Sequence, residues 1–202
     1  MIKFPKFNFR ISLPQFKSSP KSCLGIDIGT SLIKIVSLAK SGNRIKLENY
    51  GETSALTLYE KPFRTFDKNT LYLSTPEIAK ALKSILEEGN IRVKDAFFSI
   101  PDFSSFFTNF ELPPMAKDEI SQAIQFEAPQ HIPLPLSEVA TDWQLIGNEA
   151  KNKKGAKLRV LLVAVPHEVI NQYQEIARLC GLNLYGFEAE AFSLRRTFIK
   201  SL

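Results

Sequence analysis

The sequence predicts a mixed α/β fold. Three observations carry that prediction: short β-branched runs bounded by turn residues, three segments with an apolar face at helical spacing, and the order in which the two kinds alternate. The order reads strand-strand-strand-helix, then strand-strand-helix-strand-strand, then helix-strand-helix. No internal repeat interrupts it. At 202 residues the chain has room for one large or two small compact domains.

Residues 1–22, MIKFPKFNFRISLPQFKSSPKS, form a basic, Phe-rich tail. Phe7, Phe9, Ile11 and Leu13 alternate with Asn8, Arg10 and Ser12. Two readings stand side by side. One is a disordered leader. The other is a weak, reversible membrane-surface contact, with cations beside anionic lipid contributing about 1 kcal/mol each and Phe rings inserting. Lys3, Lys6, Arg10, Lys17 and Lys21 face no acid within the tail, while the other 21 cations balance the 21 acids. The net charge of +5 therefore belongs to the tail and not to a domain face. That argues against nucleic-acid binding, which needs a basic patch on the globule.

Leu24 to Ile28 reads as a short buried strand, and Leu32 to Ala39 as a β-branched one. Ser41-Gly42-Asn43 is a turn signal, and Arg44 to Tyr50 returns as a third strand. Residues 51–73 read as irregular. The next helix is well punctuated: Ser74 or Thr75 as cap, Pro76 in the first turn, Glu77 completing a capping box, and Gly89 at the end. Ile78, Leu82, Ile85 and Leu86 form its apolar face.

VKDAFFSIP (93–101) and the Phe-rich segment after it read as strands. A helix runs from about Lys117 to Ala128, with Ile120, Ala123, Ile124 and Ala128 inward. PQHIPLPLSE is an extended connection, VATDWQLIG a strand, and NEAKNKKGAK a charged hairpin loop. LRVLLVAVP is apolar almost throughout, the pattern of a strand covered on both faces. Val169, Tyr173, Ile176, Ala177 and Cys180 give the next helix its face, and Gly181 caps it. A last strand and a helical end follow.

Composition excludes several classes. The chain is 44% hydrophobic and 23% charged, as ordinary soluble proteins are. No run approaches the roughly 18 apolar residues of a membrane span, and the N-terminus lacks the apolar core of a secretory signal. Cys23 and Cys180 are far apart and read as free thiols of a reducing compartment. His131 and His167 lack metal-ligand spacing and read as structural or surface residues.

The chemistry concentrates in CLGIDIGTSLIKIV, residues 23–36. A buried strand has no use for a carboxylate, yet Asp27 sits in one. Neither GxxxxGK[ST] nor GxGxxG occurs. Asp27-x-Gly29-Thr30-Ser31 lies instead at a turn between two strands. Gly29 is expected to turn with positive φ and to let a ligand approach. Thr30 and Ser31 offer N–H groups and hydroxyls to an anion. Asp27 can hold a hydrated Mg²⁺, a hard cation that prefers carboxylate and water oxygens. Lys34, sharing a strand face with Leu32, can reach a phosphate. On the motif alone a second reading stays open, a plain hairpin whose Asp caps the turn.

GIDIGTSLIKIVSL resembles the first phosphate loop of actin-like ATPases. FFSIPDFSSFFTNFELPPMAKDEISQAIQFEAPQHIPLPLSEVATDWQLIG resembles the inserted subdomain of the PilM family of type IV pilus assembly proteins, and LLVAVPHEVINQYQEIARLCGLNLYGFEAEAFSLRR the stretch after it. The loop is shared by many actin-like proteins; the LPPM, QFEAPQHIP and DWQLIG series is far more specific.

The resemblance implies an actin-like (ribonuclease H-like) lobe with an inserted small α+β subdomain. It divides the chain into tail 1–22, first lobe segment 23–92, insert 93–166 and return 167–202, with the second lobe absent. It implies ATP with Mg²⁺, held by Asp27, Gly29, Thr30, Ser31 and Lys34, with Asp27 meeting the metal through water. It implies a partner, the cytoplasmic N-terminal peptide of a PilN-like inner-membrane protein, other pilus platform proteins, and a place at the cytoplasmic face of the inner membrane. With one phosphate loop and no identifiable catalytic residue, the expected ATPase activity is weak at most. Two other identities are weighed beside it: an FtsA-like cell-division protein, which needs a C-terminal amphipathic helix, and a sugar kinase of the same superfamily, which needs a carboxylate base in a sugar pocket.

Overall fold

The computed structural model describes residues 11–12, 20–64, 71, 73–146 and 157–199, with backbone alone at 11–12 and 195–199. The expectations for most of the tail and for all of the loop 148–157 but Lys157 lie outside the described residues.

A six-stranded sheet forms the base. Its strands are β1 (Ile11–Ser12), β2 (Ser22–Ile28), β3 (Leu32–Ser41), β4 (Arg44–Ser54), β5 (Asp95–Ile100) and β9 (Asn183–Ala189), in the order β1-β9-β5-β2-β3-β4. β2, β3 and β4 are antiparallel, whereas β5 runs parallel to both β2 and β9. α2 (Thr75–Glu88) crosses from β4 to β5, and α4 (His167–Leu179) leads into β9; the two helices pack against each other. A three-stranded antiparallel sheet, β6 (Phe106–Leu112), β8 (Leu158–Pro166) and β7 (Val139–Ile146), carries α3 (Lys117–Glu127). α1 (Ala55–Tyr59) and α5 (Glu190–Ile199) complete the fold.

Local rules account for most boundaries. Glu77 accepts hydrogen bonds from the Ser74 backbone N–H at 2.9 Å and the Ser74 hydroxyl at 2.7 Å, so Ser74 is the cap of α2. Gly42 turns the β3–β4 hairpin at φ 60°, and Gly181 ends α4 at φ 63°. Ile26, Ile28, Ile33, Ile35, Phe98 and Ile100 alternate into the core behind the sheet. There Tyr173 of α4 meets Phe98 edge-on at 5.7 Å and Phe187 at 6.3 Å.

Three local expectations change. Residues 51–73 are not all irregular: pairing with β3 carries β4 through Ser54, and α1 follows. Gly51 makes that path fit, because a Cβ there would lie 2.5 Å from the Ile85 side chain of α2. The connection 129–138 is not simply extended, since single 3₁₀ turns form at Ala128–Gln130 and Leu136–Glu138. Asp95–Ile100, which falls inside the range expected for the insert, pairs with β2 and β9 in the large sheet. The small sheet begins only at Phe106.

β8 joins the two units. Val160, Leu162 and Ala164 face α3, while Val163 and Val165 pack into the core of the large sheet. Its unbroken apolar sequence thus reflects cover on both faces. His131 stacks on Phe110, rings 4.5 Å apart, and Cys180 is a free, buried thiol. No helix among the described residues is long and apolar enough to cross a membrane.

Candidate functional site: the turn between β2 and β3 at one end of the large sheet

The turn between β2 and β3 comprises Gly29, Thr30 and Ser31. The Gly29 N–H donates to the Leu32 carbonyl at 2.8 Å and closes the hairpin. The Thr30 carbonyl accepts from the Phe63 N–H, and the Ser31 carbonyl from the Ala55 N–H, both at 2.9 Å. Both carbonyls are therefore drawn back into the protein. Among the described residues, the N–H groups of Thr30 and Ser31 meet no backbone acceptor. That arrangement suits an anion.

Gly29 serves the turn differently from the expectation. Its φ is not positive. A Cβ there would instead meet the Leu32 carbonyl oxygen at 2.8 Å, so the requirement is close backbone approach.

Asp27 is half-buried and accepts a hydrogen bond from the Ser99 hydroxyl at 2.8 Å. Sheet register sets Glu52, Lys34, Asp27, Ser99 and Glu188 side by side across five strands. Cross-strand neighbours share a face, so this polar row lies opposite the apolar core. Lys34 is exposed, and among the described residues it has no hydrogen bond or ion pair. The structure thus gathers Asp27, Gly29, Thr30, Ser31 and Lys34 at one end of the sheet.

Sequence reading missed Arg64, Ser99, Asp102 and Glu190. Arg64 is 7% exposed, and its guanidinium donates to Glu190, the first residue of α5, at 3.0 Å. The same guanidinium lies 4.9 Å from the Phe103 ring centre, on the segment leading into the small sheet. Burial pushes the Glu190 carboxyl above its ordinary value; Arg64 opposes the shift, while the charges of Asp27 and Asp102 add to it. Asp102 accepts from the Ala191 N–H at 3.2 Å and so fixes the start of α5. These groups come from three segments far apart in sequence, around residues 64, 99–102 and 190, and no local motif joins them.

These residues fit a magnesium-bound polyphosphate. The turn offers donors to phosphate, Lys34 offers a compact cation, and Asp27 offers an oxygen to a hydrated metal. No group of three or more His, Cys, Asp or Glu placed to hold a metal occurs among the described residues. A metal here would depend on water and phosphate for most of its ligands.

A family model described as type IV pilus assembly protein PilM matches residues 25–201. Among solved structures, a PilM–PilN type IV pilus biogenesis complex is similar with TM-score 0.71 and 21% identity, over 86% of this chain and 49% of that one. The cytoplasmic domain of EpsL, an inner-membrane component of the type II secretion system of Vibrio cholerae, is similar with TM-score 0.50 and 13% identity, over 82% of this chain and 56% of that one. The chain spans about half the length of these solved chains. Its fold is an actin-like lobe carrying a small inserted α+β unit. With the family model covering both sheets and the β2–β3 turn alike from residue 25 onward, the chain belongs to the PilM family of type IV pilus assembly proteins.

Proposed function

We propose that the chain acts as a cytoplasmic adaptor of type IV pilus assembly, binding ATP with Mg²⁺ and an extended peptide from the N-terminus of a PilN-like inner-membrane protein. Family membership supports the pilus role. The similar solved structure is a complex of PilM with PilN, and that pairing supports the choice of partner class. Such a peptide would hold the adaptor at the inner face of the membrane.

The observation that carries the nucleotide reading is the turn itself. The Thr30 and Ser31 carbonyls are tied back by Phe63 and Ala55, and the N–H groups of those two residues are left to an anion. When bound, the nucleotide and its metal supply a phosphoanhydride and a charge for loop and lysine to grip. Asp27 would orient the metal's water shell, with Ser99 holding the carboxylate in place. Glu190 is held by Arg64 in an ion pair. With no catalytic residue assigned, binding rather than hydrolysis is the working step.

Titration calorimetry with Mg–ATP tests this reading. Asp27→Ala and Lys34→Ala should each weaken binding about tenfold, the scale of one charge-assisted contact, with unchanged circular dichroism. Gly29→Ala should abolish binding, because its Cβ collides with a backbone oxygen. Wild-type affinity in both charge variants would remove the site.

A further inference from the structure

Among the described residues, Arg64 is the only charged side chain that is buried. Burying a charge is costly, so what it touches needs a reason. Its contacts run to three parts of the molecule. The residue before it, the fully buried Phe63, donates its N–H to the Thr30 carbonyl, so Arg64 stands one peptide away from the β2–β3 turn. Its Nη2 donates to Glu190 at the start of α5. Its guanidinium also lies over the ring of Phe103, in the 3₁₀ turn Asp102–Ser104 that leads from β5 into the small sheet. Asp102 of that turn accepts from the Ala191 N–H of α5 and ties the last two parts together. We propose that Arg64 is a positioning residue that couples the β2–β3 turn to the start of α5 and to the root of the small unit, so that an anion held at the turn stiffens both. The proposal rests on the polyphosphate reading above and adds what that turn acts on.

The surroundings of the guanidinium suit a coupling element. Among the described residues, its Nε and Nη1 are buried and meet no acceptor in hydrogen-bonding geometry. The Gln172 Oε1 of α4, on the wall of the same crevice, is likewise buried without a donor. Pro101, Ser104 and Tyr173 complete that crevice, which has no room for a water molecule. A guanidinium so enclosed changes partners only when the residues around it move together, because a packed interior passes a shift on to its neighbours. The charges of Asp27 and Arg64 both act on the Glu190 carboxyl and on the Tyr173 hydroxyl, so the acid beside the turn and the guanidinium share one electrostatic neighbourhood. An occupant that fixes the Thr30 and Ser31 peptides also fixes Phe63 through the Thr30 carbonyl. Arg64 then carries that order to Glu190 and Phe103.

Hydrogen exchange on the full chain, with Mg–ATP as the probe, provides the test. In the wild type, saturating Mg–ATP should slow exchange about fivefold at the turn, at 101–106 and at 189–194, the low end for coupled sites. In Arg64→Met the slowing should stay at the turn alone. Arg64→Met/Glu190→Gln should behave the same way; it removes both charges of the pair, which covers the case in which the single variant unfolds. A second perturbation needs no nucleotide. Thr30→Gly loosens the turn, and it should quicken exchange at 101–106 and 189–194 about threefold in the wild-type background, with no change there in the background of the double variant. Slowing at all three places in the Arg64 variants overturns the proposal, and so does slowing at the turn alone in the wild type. If Mg–ATP does not bind the wild type, the polyphosphate reading fails and the Thr30→Gly comparison decides the role of Arg64. An equal change in both backgrounds then overturns that role, and a change in the wild-type background alone upholds it.

Discussion

β8 presents one face to each of two cores, and the two differ in how completely they are closed. Behind the large sheet, α2 buries Ile78, Ala79, Ala81, Leu82, Ile85 and Leu86, and α4 adds Val169, Ile170, Tyr173, Ile176 and Ala177. Each helix is covered by the sheet and by the other helix. Over the small sheet, α3 buries only Ile120 and Ile124, and Phe126 is left 77% exposed. Phe126 and Met115 rim a shallow groove with Leu112, Ala123 and the acids Glu119 and Glu127. The large unit is a scaffold that fixes the β2–β3 turn. The small unit is a thinner layer whose order depends on the shared strand.

The most severe way to break that contrast is at the scaffold's centre. Phe98 lies on β5 against Tyr173, and its ring is 1% exposed. Phe98→Ala should cost about 3–5 kcal/mol, the usual scale for emptying an aromatic site in a closed core. Urea denaturation should show the whole transition moving, with both sheets lost together. A cost below about 1 kcal/mol would mean that the large core is not the unit that holds the molecule.

Ile124→Ala in α3 should cost less, about 2 kcal/mol, the low end for such a deletion, because one side of α3 already meets solvent. Its signature is regional. Hydrogen exchange should quicken across 106–146 while β2, β3 and β5 keep their protection. Uniform loss of protection would show that the two units open as one.

Much of the scaffold was legible in the sequence because its signals are local. Ser74, Pro76 and Glu77 announced α2, Gly181 announced the end of α4, and Ser41-Gly42-Asn43 announced the hairpin. The place of β5 was not legible. Its partners are Leu24 to Asp27 and Asn183 to Ala189, far away along the chain, and a parallel pairing leaves no trace in local periodicity. The site divides in the same way. Asp27 to Lys34 is one continuous motif, whereas Arg64, Ser99 and Glu190 meet only after the sheet and α5 are assembled.

A pH experiment sharpens the contrast from the scaffold side. Cys180 is buried where α4 ends, with its thiol 3.5 Å from the Ala79 carbonyl of α2. Burial pushes this thiol up to about 11. In the unfolded chain a thiol ionises near about 8.5. Between those values the folded state holds the proton and the unfolded state loses it, so stability falls as pH rises. The urea midpoint should therefore drop more steeply from pH 8 to pH 10.5 in the wild type than in Cys180→Ala. Parallel slopes would mean that the α2–α4 seam admits water.

The smallest expected effect tests the thin layer. Phe126 contributes little to any core, so Phe126→Ser should change stability by no more than about 0.5 kcal/mol. For a chain of this size that is a shift of no more than about 2 °C in Tm. A fall of 5 °C or more would mean that the ring is covered in solution, since only a buried aromatic costs that much to remove. If that fall disappears on dilution, a second copy supplies the cover; if it persists, the cover comes from within the chain. Either result would close the small unit as fully as the large one and erase the difference between the two faces of β8.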